Sequence, residues 1–266
     1  MGATACSLFL FFFFSAVAQR AEAAQQPVTF GSAIALVHEA SGHKLYSGKI
    51  SWGSSSAGQA VSVIPASTIT VGLKCAAEGD TQPPSESPSS SLWQVRPVVS
   101  GLLSPFDPSL PLTSSPSSSF GAGVSVPCGA RVLLQHVSSQ AALKAGRAEA
   151  PLSPNYEVGA SPGPEGAESA FVVECAKGGD VWRSGAPVKL KNVLLNANLQ
   201  ASKQHVFTYS NCGRGCPIAS HLEVSVMKGQ PSSWSWAKPS DNWLAQPQLL
   251  FFGNGATEEG ETHDEL

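Results

Sequence analysis

The chain has 266 residues, a formal net charge of -3 and 13% charged residues. So small and slightly acidic a balance gives no electrostatic basis for binding nucleic acid or an anionic membrane surface. The length is that of one or two domains.

The first predicted element is a secretory leader. Residues 8–14 are an unbroken apolar run, short of the roughly 20 residues a membrane-spanning helix needs. Ser15-Ala16-Val17-Ala18 follows as a small-x-small cleavage pattern. Residues 1–18 are therefore read as a signal peptide, with Ala23 or Ala24 as a rival end. No Lys or Arg precedes the apolar run, and Cys6 stands where a myristoylation motif has Ser or Thr. Cys6 leaves with the leader, so five cysteines enter an oxidising compartment. That odd number leaves at least one thiol free or paired between chains. The sequence has no Asn-x-Ser/Thr acceptor for N-glycosylation.

Next the chain repeats itself. Gly31, Gly129 and Gly185 each open a pattern: Ile34, Val132 and Val188 stand three residues on, and Leu36, Leu134 and Leu190 five on. His38, His136 and Asn192 come seven on, and Leu45, Leu143 and Leu199 fourteen on. Each copy closes on an aromatic in an apolar setting, at Trp93, Phe171 and Trp243. Positions three, five and seven alternate and so share one face of a strand. Period-2 runs recur at Ile69, Val71, Leu73 and Cys75, at Phe171, Val173 and Cys175, and at Leu222, Val224 and Val226. Residues 141–150 have helical propensity, but Leu143 occupies a repeat position, so a strand is predicted there.

The repeats span about 27–98, 122–176 and 182–246 within a single domain at 27–252. The first is lengthened by two Ser/Pro-rich stretches, 80–91 and 104–119, which cannot bury enough apolar surface to offset their ordering entropy. Both are read as exposed, disordered insertions. Three sequential β units, each unable to cover its apolar face alone, predict an all-β barrel closed by three hairpins. Residues 253–266 form an acidic tail ending in His263-Asp264-Glu265-Leu266. That tetrapeptide is a receptor-read retrieval address for the endoplasmic reticulum. With the leader, it predicts a resident of the ER lumen that meets the HDEL receptor.

Residues 31–38, 128–136 and 187–192 resemble MIR motifs, and residues 213–218 through Glu223-Val224 are similar to the third unit of one MIR family. The whole chain resembles the stromal cell-derived factor 2 family over about 27–252. The resemblance implies a β-trefoil and a non-enzymatic, cofactor-free role in protein folding and quality control. The implied partners are the lumenal Hsp70, its J-domain co-chaperone and unfolded clients. It also implies a Cys128–Cys175 disulfide. Phe30 replaces the cysteine that precedes the first repeat in that family, and no cysteine lies between Trp93 and Pro127. Both halves of a second family disulfide are thus missing together. Leu143-Lys144-Ala145 stands where these motifs often have Leu-His-Ser, which weakens an inherited ligand site there.

Cys212-Gly-Arg-Gly-Cys216 admits several readings: a local disulfide, a bridge to Cys75, free thiols, or half of a zinc site with His205 and His221 as the nearby candidates. His38 and His136 share one repeat position, which favours a packing or hydrogen-bonding role, with a polar ligand contact as the alternative. Trp234 and Trp236 alternate with serine and are read as core or rim packing, or else as a stacking surface for sugar or peptide. No nucleophile elbow, metalloprotease helix, P-loop or dinucleotide fingerprint is present, so no catalytic residues are assigned and a non-enzymatic adaptor is expected. The alternative is a lectin-like module reading glycans on lumenal glycoproteins. Trp234 and Trp236 have no partners in the first two units, which favours the adaptor.

Overall fold

The computed structural model describes residues 26–51, 58–65, 88–98, 121–163, 166–176, 179–229 and 239–249. The first repeat supplies β1 (Ala33–His38), β2 (Lys44–Ser51), β3 (Gln59–Ile64) and β4 (Trp93–Pro97). The second supplies β5 (Arg131–His136), β6 (Ala142–Glu149), β7 (Tyr156–Ser161) and β8 (Ala170–Cys175). The third supplies β9 (Pro187–Asn192), β10 (Ala197–Val206), β11 (Leu222–Val226) and β12 (Trp243–Leu249).

All the pairings are antiparallel, and apart from β1–β2, β5–β6 and β9–β10, which join one to the other, they sort into two closed circuits. Strand β1 pairs with β4, β4 with β5, β5 with β8, β8 with β9, β9 with β12, and β12 returns to β1. That ring is a barrel without edges. The hairpins β2–β3, β6–β7 and β10–β11 meet as a triangle, through β3–β7, β7–β11 and β11–β3. A six-strand barrel capped by a hairpin triplet, each unit giving four strands, is a β-trefoil.

The repeat residues explain this closure. Ile34, Leu36, Val132, Leu134, Val188 and Leu190 all point into one core with Leu45, Leu143, Leu199, Trp93, Phe171 and Trp243, and all are essentially without solvent contact. Burial of each such side chain contributes on the order of 2 kcal/mol. The opening glycines are needed for their backbone: φ is 88° at Gly31, 83° at Gly129 and 72° at Gly185, where a side chain would strain the chain. Their amides donate to Val95, Val173 and Ala245 carbonyls respectively.

The barrel mouth is tied by three bonds in a circle. Val28 N–H donates to the Trp182 carbonyl, Trp182 N–H to Val126, and Val126 N–H to Val28, each at 2.8 Å. The segment before each repeat thus holds the next, and the pseudo-threefold axis runs through that circle.

Residues 141–150 fold as strand β6, with Leu143 fully buried, so tertiary pairing overrides local helical propensity. One expectation needs correction. The stretch read as a disordered insertion through Ser91 ends in a 3₁₀ turn, Pro88–Ser91. Ser91 is buried, because the turn must pack on β2 to deliver Trp93 into the core. The strand that completes the first hairpin is β3, upstream of the run at Ile69, Val71, Leu73 and Cys75. That run, residues 80–87, residues 104–119, the leader and the retrieval tail lie outside the described residues.

Candidate functional site

Each repeat boundary carries the same polar junction. The His136 ring accepts or donates at two places: Nδ1 is 2.8 Å from Ser139 Oγ, and Nε2 is 3.1 Å from the Ser90 carbonyl. A carbonyl only accepts, so Nε2 carries the proton and Nδ1 of the neutral ring accepts from the serine hydroxyl. His38 repeats the arrangement with Ser41 Oγ at 2.8 Å and the Ser240 carbonyl at 3.1 Å. In the third copy Asn192 Nδ2 donates to the Glu168 carbonyl at 2.9 Å, and Oδ1 accepts from Leu195 N–H at 3.1 Å.

The three residues therefore fasten the turn after one strand to the lead-in of the preceding repeat's last strand. Burial lowers the His136 pKa below its usual value, and the hydrogen bond to Ser90 partly opposes the shift. Both histidines are only 1% exposed, with each ring nitrogen engaged. Both rings are engaged in internal hydrogen bonds, the arrangement that the packing and hydrogen-bonding reading of His38 and His136 describes.

The third repeat departs from the symmetry, in two ways. The first is a buried ion pair. Lys189 Nζ lies 3.0 Å from Asp241 Oδ2, and Asn198 Nδ2 donates to the same oxygen at 2.9 Å, with the Lys189 and Asp241 side chains 5% and 0% exposed. The corresponding positions hold Ala35 and Ser91 in the first repeat, and Leu133 and Ser169 in the second.

The second departure is larger. Between β10 and β11 the chain makes an excursion over residues 207–221 where the second repeat uses a short turn. Its base is pinned by Phe207 N–H to the His221 carbonyl (2.9 Å) and Ser220 N–H to the Phe207 carbonyl (2.8 Å). A one-turn helix, α1 (Tyr209–Cys212), is started by Thr208. Its side chain accepts from Asn211 N–H, and the Asn211 side chain accepts from Thr208 N–H at 2.8 Å, a reciprocal cap. Phe207, Cys216 and Ile218 form a small second core against Ile50, Leu152 and Ala219. The excursion thereby rests on the hairpins of the other two repeats.

Beneath it lies a polar layer on the outer face of the hairpin triplet. Leu222, Val224 and Val226 face the core, so Glu223 and Ser225 face outward, yet the covering loops bury them. Glu223 Oε2 accepts from the amides of Leu152 and Ser153, and Oε1 accepts from the Ser153 hydroxyl. Ser62 Oγ is 2.9 Å from His221 Nδ1, with Tyr46 edge-on to that ring at 5.4 Å. Burial, and secondarily the like charge of His43, pushes the His221 pKa down to about 4. The serine–histidine contact is sealed from solvent, with Ser62 1% exposed, so it serves as an internal tie.

What the excursion presents outward is different. Tyr209 is 66% exposed, and Cys212 and Arg214, three and five positions further along the same excursion, are exposed as well. No acidic residue occurs between Ala197 and His221, so the excursion itself presents one aromatic and one cation on a braced scaffold. Sequence reasoning passed over Tyr209. The available signal was the length of the connection between two strand runs, together with Thr208 three residues before Asn211.

The four cysteines among the described residues form two bridges. Cys128 and Cys175 are bonded, with Cα atoms 5.6 Å apart, and Cys175 lies 47 positions on in sequence. Cys212 is bonded to Cys216, four positions on, which settles the open reading of that motif as a local disulfide. Among the described residues no group of His, Cys, Asp and Glu is arranged to hold a metal ion. His221 is engaged with Ser62 instead. Trp234, Trp236, Cys75 and the HDEL residues lie outside the described residues.

The same fold recurs in proteins of known structure. The SDF2-like protein from Arabidopsis thaliana is similar at a TM-score of 0.58 and 22% identity, over 83% of this chain and 95% of that one. A Caenorhabditis elegans protein of unknown function is similar at 0.56 and 20% identity, over 82% and 95%. The Saccharomyces cerevisiae protein O-mannosyltransferase Pmt1-Pmt2 complex bound to the sugar donor is similar at 0.55 and 13% identity, over 88% of this chain but only 29% of that one. At these identities the likeness is one of fold. No family model matches the chain, and no curated protein matches it in sequence. No helix among the described residues is long and apolar enough to cross a membrane.

Proposed function

We propose that this chain is a stromal cell-derived factor 2 type MIR trefoil of the ER lumen that acts without chemistry of its own, as an adaptor in protein folding. The observation that carries the reading is the fold match to the SDF2-like protein from Arabidopsis thaliana, which extends over 83% of this chain and 95% of that solved chain. The adaptor recognises its partner, the lumenal Hsp70 or its J-domain co-chaperone, through the braced surface around Tyr209. Tyrosine and arginine are among the side chains in which the binding energy of protein interfaces concentrates. Because the excursion occurs once, it supports one binding surface better than the three equivalent shallow sites of a lectin.

The test is affinity purification from gently lysed ER of the tagged chain with HDEL left terminal, with and without ATP, beside a Tyr209→Ala variant. Capture of the Hsp70 or J-protein, lost at least about tenfold in the variant while the melting temperature is unchanged, supports the reading. Capture of glycoproteins released by free sugar, with no chaperone present, overturns it in favour of the lectin.

A further inference from the structure

We propose that Cys212–Cys216 is a thiol–disulfide exchange site, and that its reduction by a dithiol unlocks the 207–221 excursion while the barrel stays folded. The proposal rests on the reading above only in placing the protein in an oxidising compartment.

The two bridges sit in different mechanical settings. Cys128–Cys175 joins the turn before β5 to the end of β8, and these are also held by Gly129 N–H to the Val173 carbonyl (2.7 Å) and by the β8–β9 ladder through Cys175 and Val188. Both of its cysteines are partly buried. Cys212–Cys216 lies wholly inside the excursion and crosses no strand of the barrel or of the hairpin triplet. Cys212 is exposed, whereas Cys216 is 8% exposed and belongs to the small core with Phe207 and Ile218. The exposed residue, Cys212, is therefore the one offered to an incoming thiolate, and the exposed Arg214 between the two cysteines favours the approach of an anion.

The exchange balances as follows. The external dithiol, as its thiolate, bonds to Cys212 Sγ; the protein S–S bond breaks, and its electron pair leaves on Cys216 Sγ, which takes up a proton. The second thiol of the reagent, deprotonated, then bonds to its own first sulfur and expels Cys212, which is protonated in turn. The protein gains two electrons and two protons, and the dithiol becomes a disulfide.

The consequence follows from what holds the excursion. Beyond the bridge it has the Thr208 cap, backbone bonds at its base and within its turns, the Asn211 Nδ2 bond to the Val206 carbonyl, the Ser62–His221 tie, and only Phe207 and Ile218 as the other buried side chains of its small core. Such a module opens locally at low free energy once its crosslink is gone. The surface that presents Tyr209 is then no longer braced, so redox state sets whether that surface is preorganised.

The experiment uses the full chain with Cys75→Ser, to prevent reshuffling through that thiol. It is held in native buffer at stepped ratios of reduced to oxidised glutathione or with thioredoxin-type dithiol, and free thiols are trapped with a maleimide and mapped by mass spectrometry. Cys212 and Cys216 are expected to label at least about tenfold faster than Cys128 and Cys175. Amide exchange should rise at Phe207, Cys212, Cys216 and Ser220 and stay unchanged at Val95 and His136. A Cys212→Ser/Cys216→Ser variant should show the same amide pattern without reductant. If both bridges open together, or Cys212 and Cys216 label only on global unfolding, exchange in the native state is wrong. Labelling without any change in amide protection sinks the unlocking. None of these readouts depends on chaperone capture, so failure of the adaptor reading is separately visible.

Discussion

Trp93 stands directly opposite His136 in the β4–β5 ladder, with ring centroids 5.1 Å apart. Trp243 stands opposite His38 across β12–β1 at 5.4 Å, and Phe171 opposite Asn192 across β8–β9. The closing aromatic of each repeat is thus registered on the polar junction residue of the next. Replacing His136 by Asn keeps a donor and an acceptor, as in the third repeat, and is expected to cost about 1 kcal/mol. His136→Leu strands the Ser90 carbonyl and the Ser139 hydroxyl and is expected to cost about 3 kcal/mol. Urea unfolding of the two variants checks the order; equal losses would show that volume, not hydrogen bonding, matters there.

The buried histidines make stability depend on pH. In the unfolded chain each titrates near 6.5; in the fold His221 is held down at about 4 by burial and by His43, and His136 is lowered by burial. A folded pKa below the unfolded value means that the unfolded state binds more protons, so stability is complete above about 6.5 and falls as pH drops through that window. For His221 the loss continues to about pH 4 and is on the order of 3 kcal/mol. Denaturant midpoints across this range, compared with His221→Gln, isolate the effect. A variant with the parent's slope rules it out.

The turn after the first strand of each repeat has a left-handed residue: Gly42 at φ 71°, Gln140 at 56° and Asn196 at 51°. Only Gly42 adopts this without strain. Gln140→Gly should raise stability by about 0.5–1 kcal/mol, less whatever its side-chain bond to the Val137 carbonyl contributes. Gly42→Ala should lower stability by about 1 kcal/mol although no atom lies within 4 Å of the added carbon. Thermal melts in which Gln140→Gly is destabilising would refute the backbone argument.

Breaking the Lys189–Asp241 pair from one side leaves an uncompensated buried charge. Lys189→Leu or Asp241→Ser alone is expected to cost about 3–5 kcal/mol. The double variant reproduces the Leu133 and Ser169 combination of the second repeat and should recover most of that loss. A double-mutant cycle by chemical denaturation measures the coupling; additive losses would mean that the pair is not coupled.

The sequence by itself determined a threefold, closed all-β architecture, and the family resemblance identified it as a trefoil. The offsets that place Ile34, Leu36 and His38 in register with their counterparts encode strand faces, and a strand face needs only a period of two to be legible. Three copies then force closure, since no single unit covers its own apolar side. Resemblance pointed to Cys128 and Cys175, which the fold joins.

Only the tertiary structure decided which polar groups were enclosed. Glu223 occupies an outward strand position, and what buries it is a loop from the second repeat and an excursion of the third. Lys189 and Asp241 meet because β9 and the 3₁₀ turn Pro239–Asp241 converge, far apart in sequence. Ser90 and Ser240 matter through their carbonyls, which no residue type announces. Periodicity reports the side of a strand a residue lies on; what covers that side is set by contacts across the chain, and those contacts also leave Tyr209 exposed on the excursion.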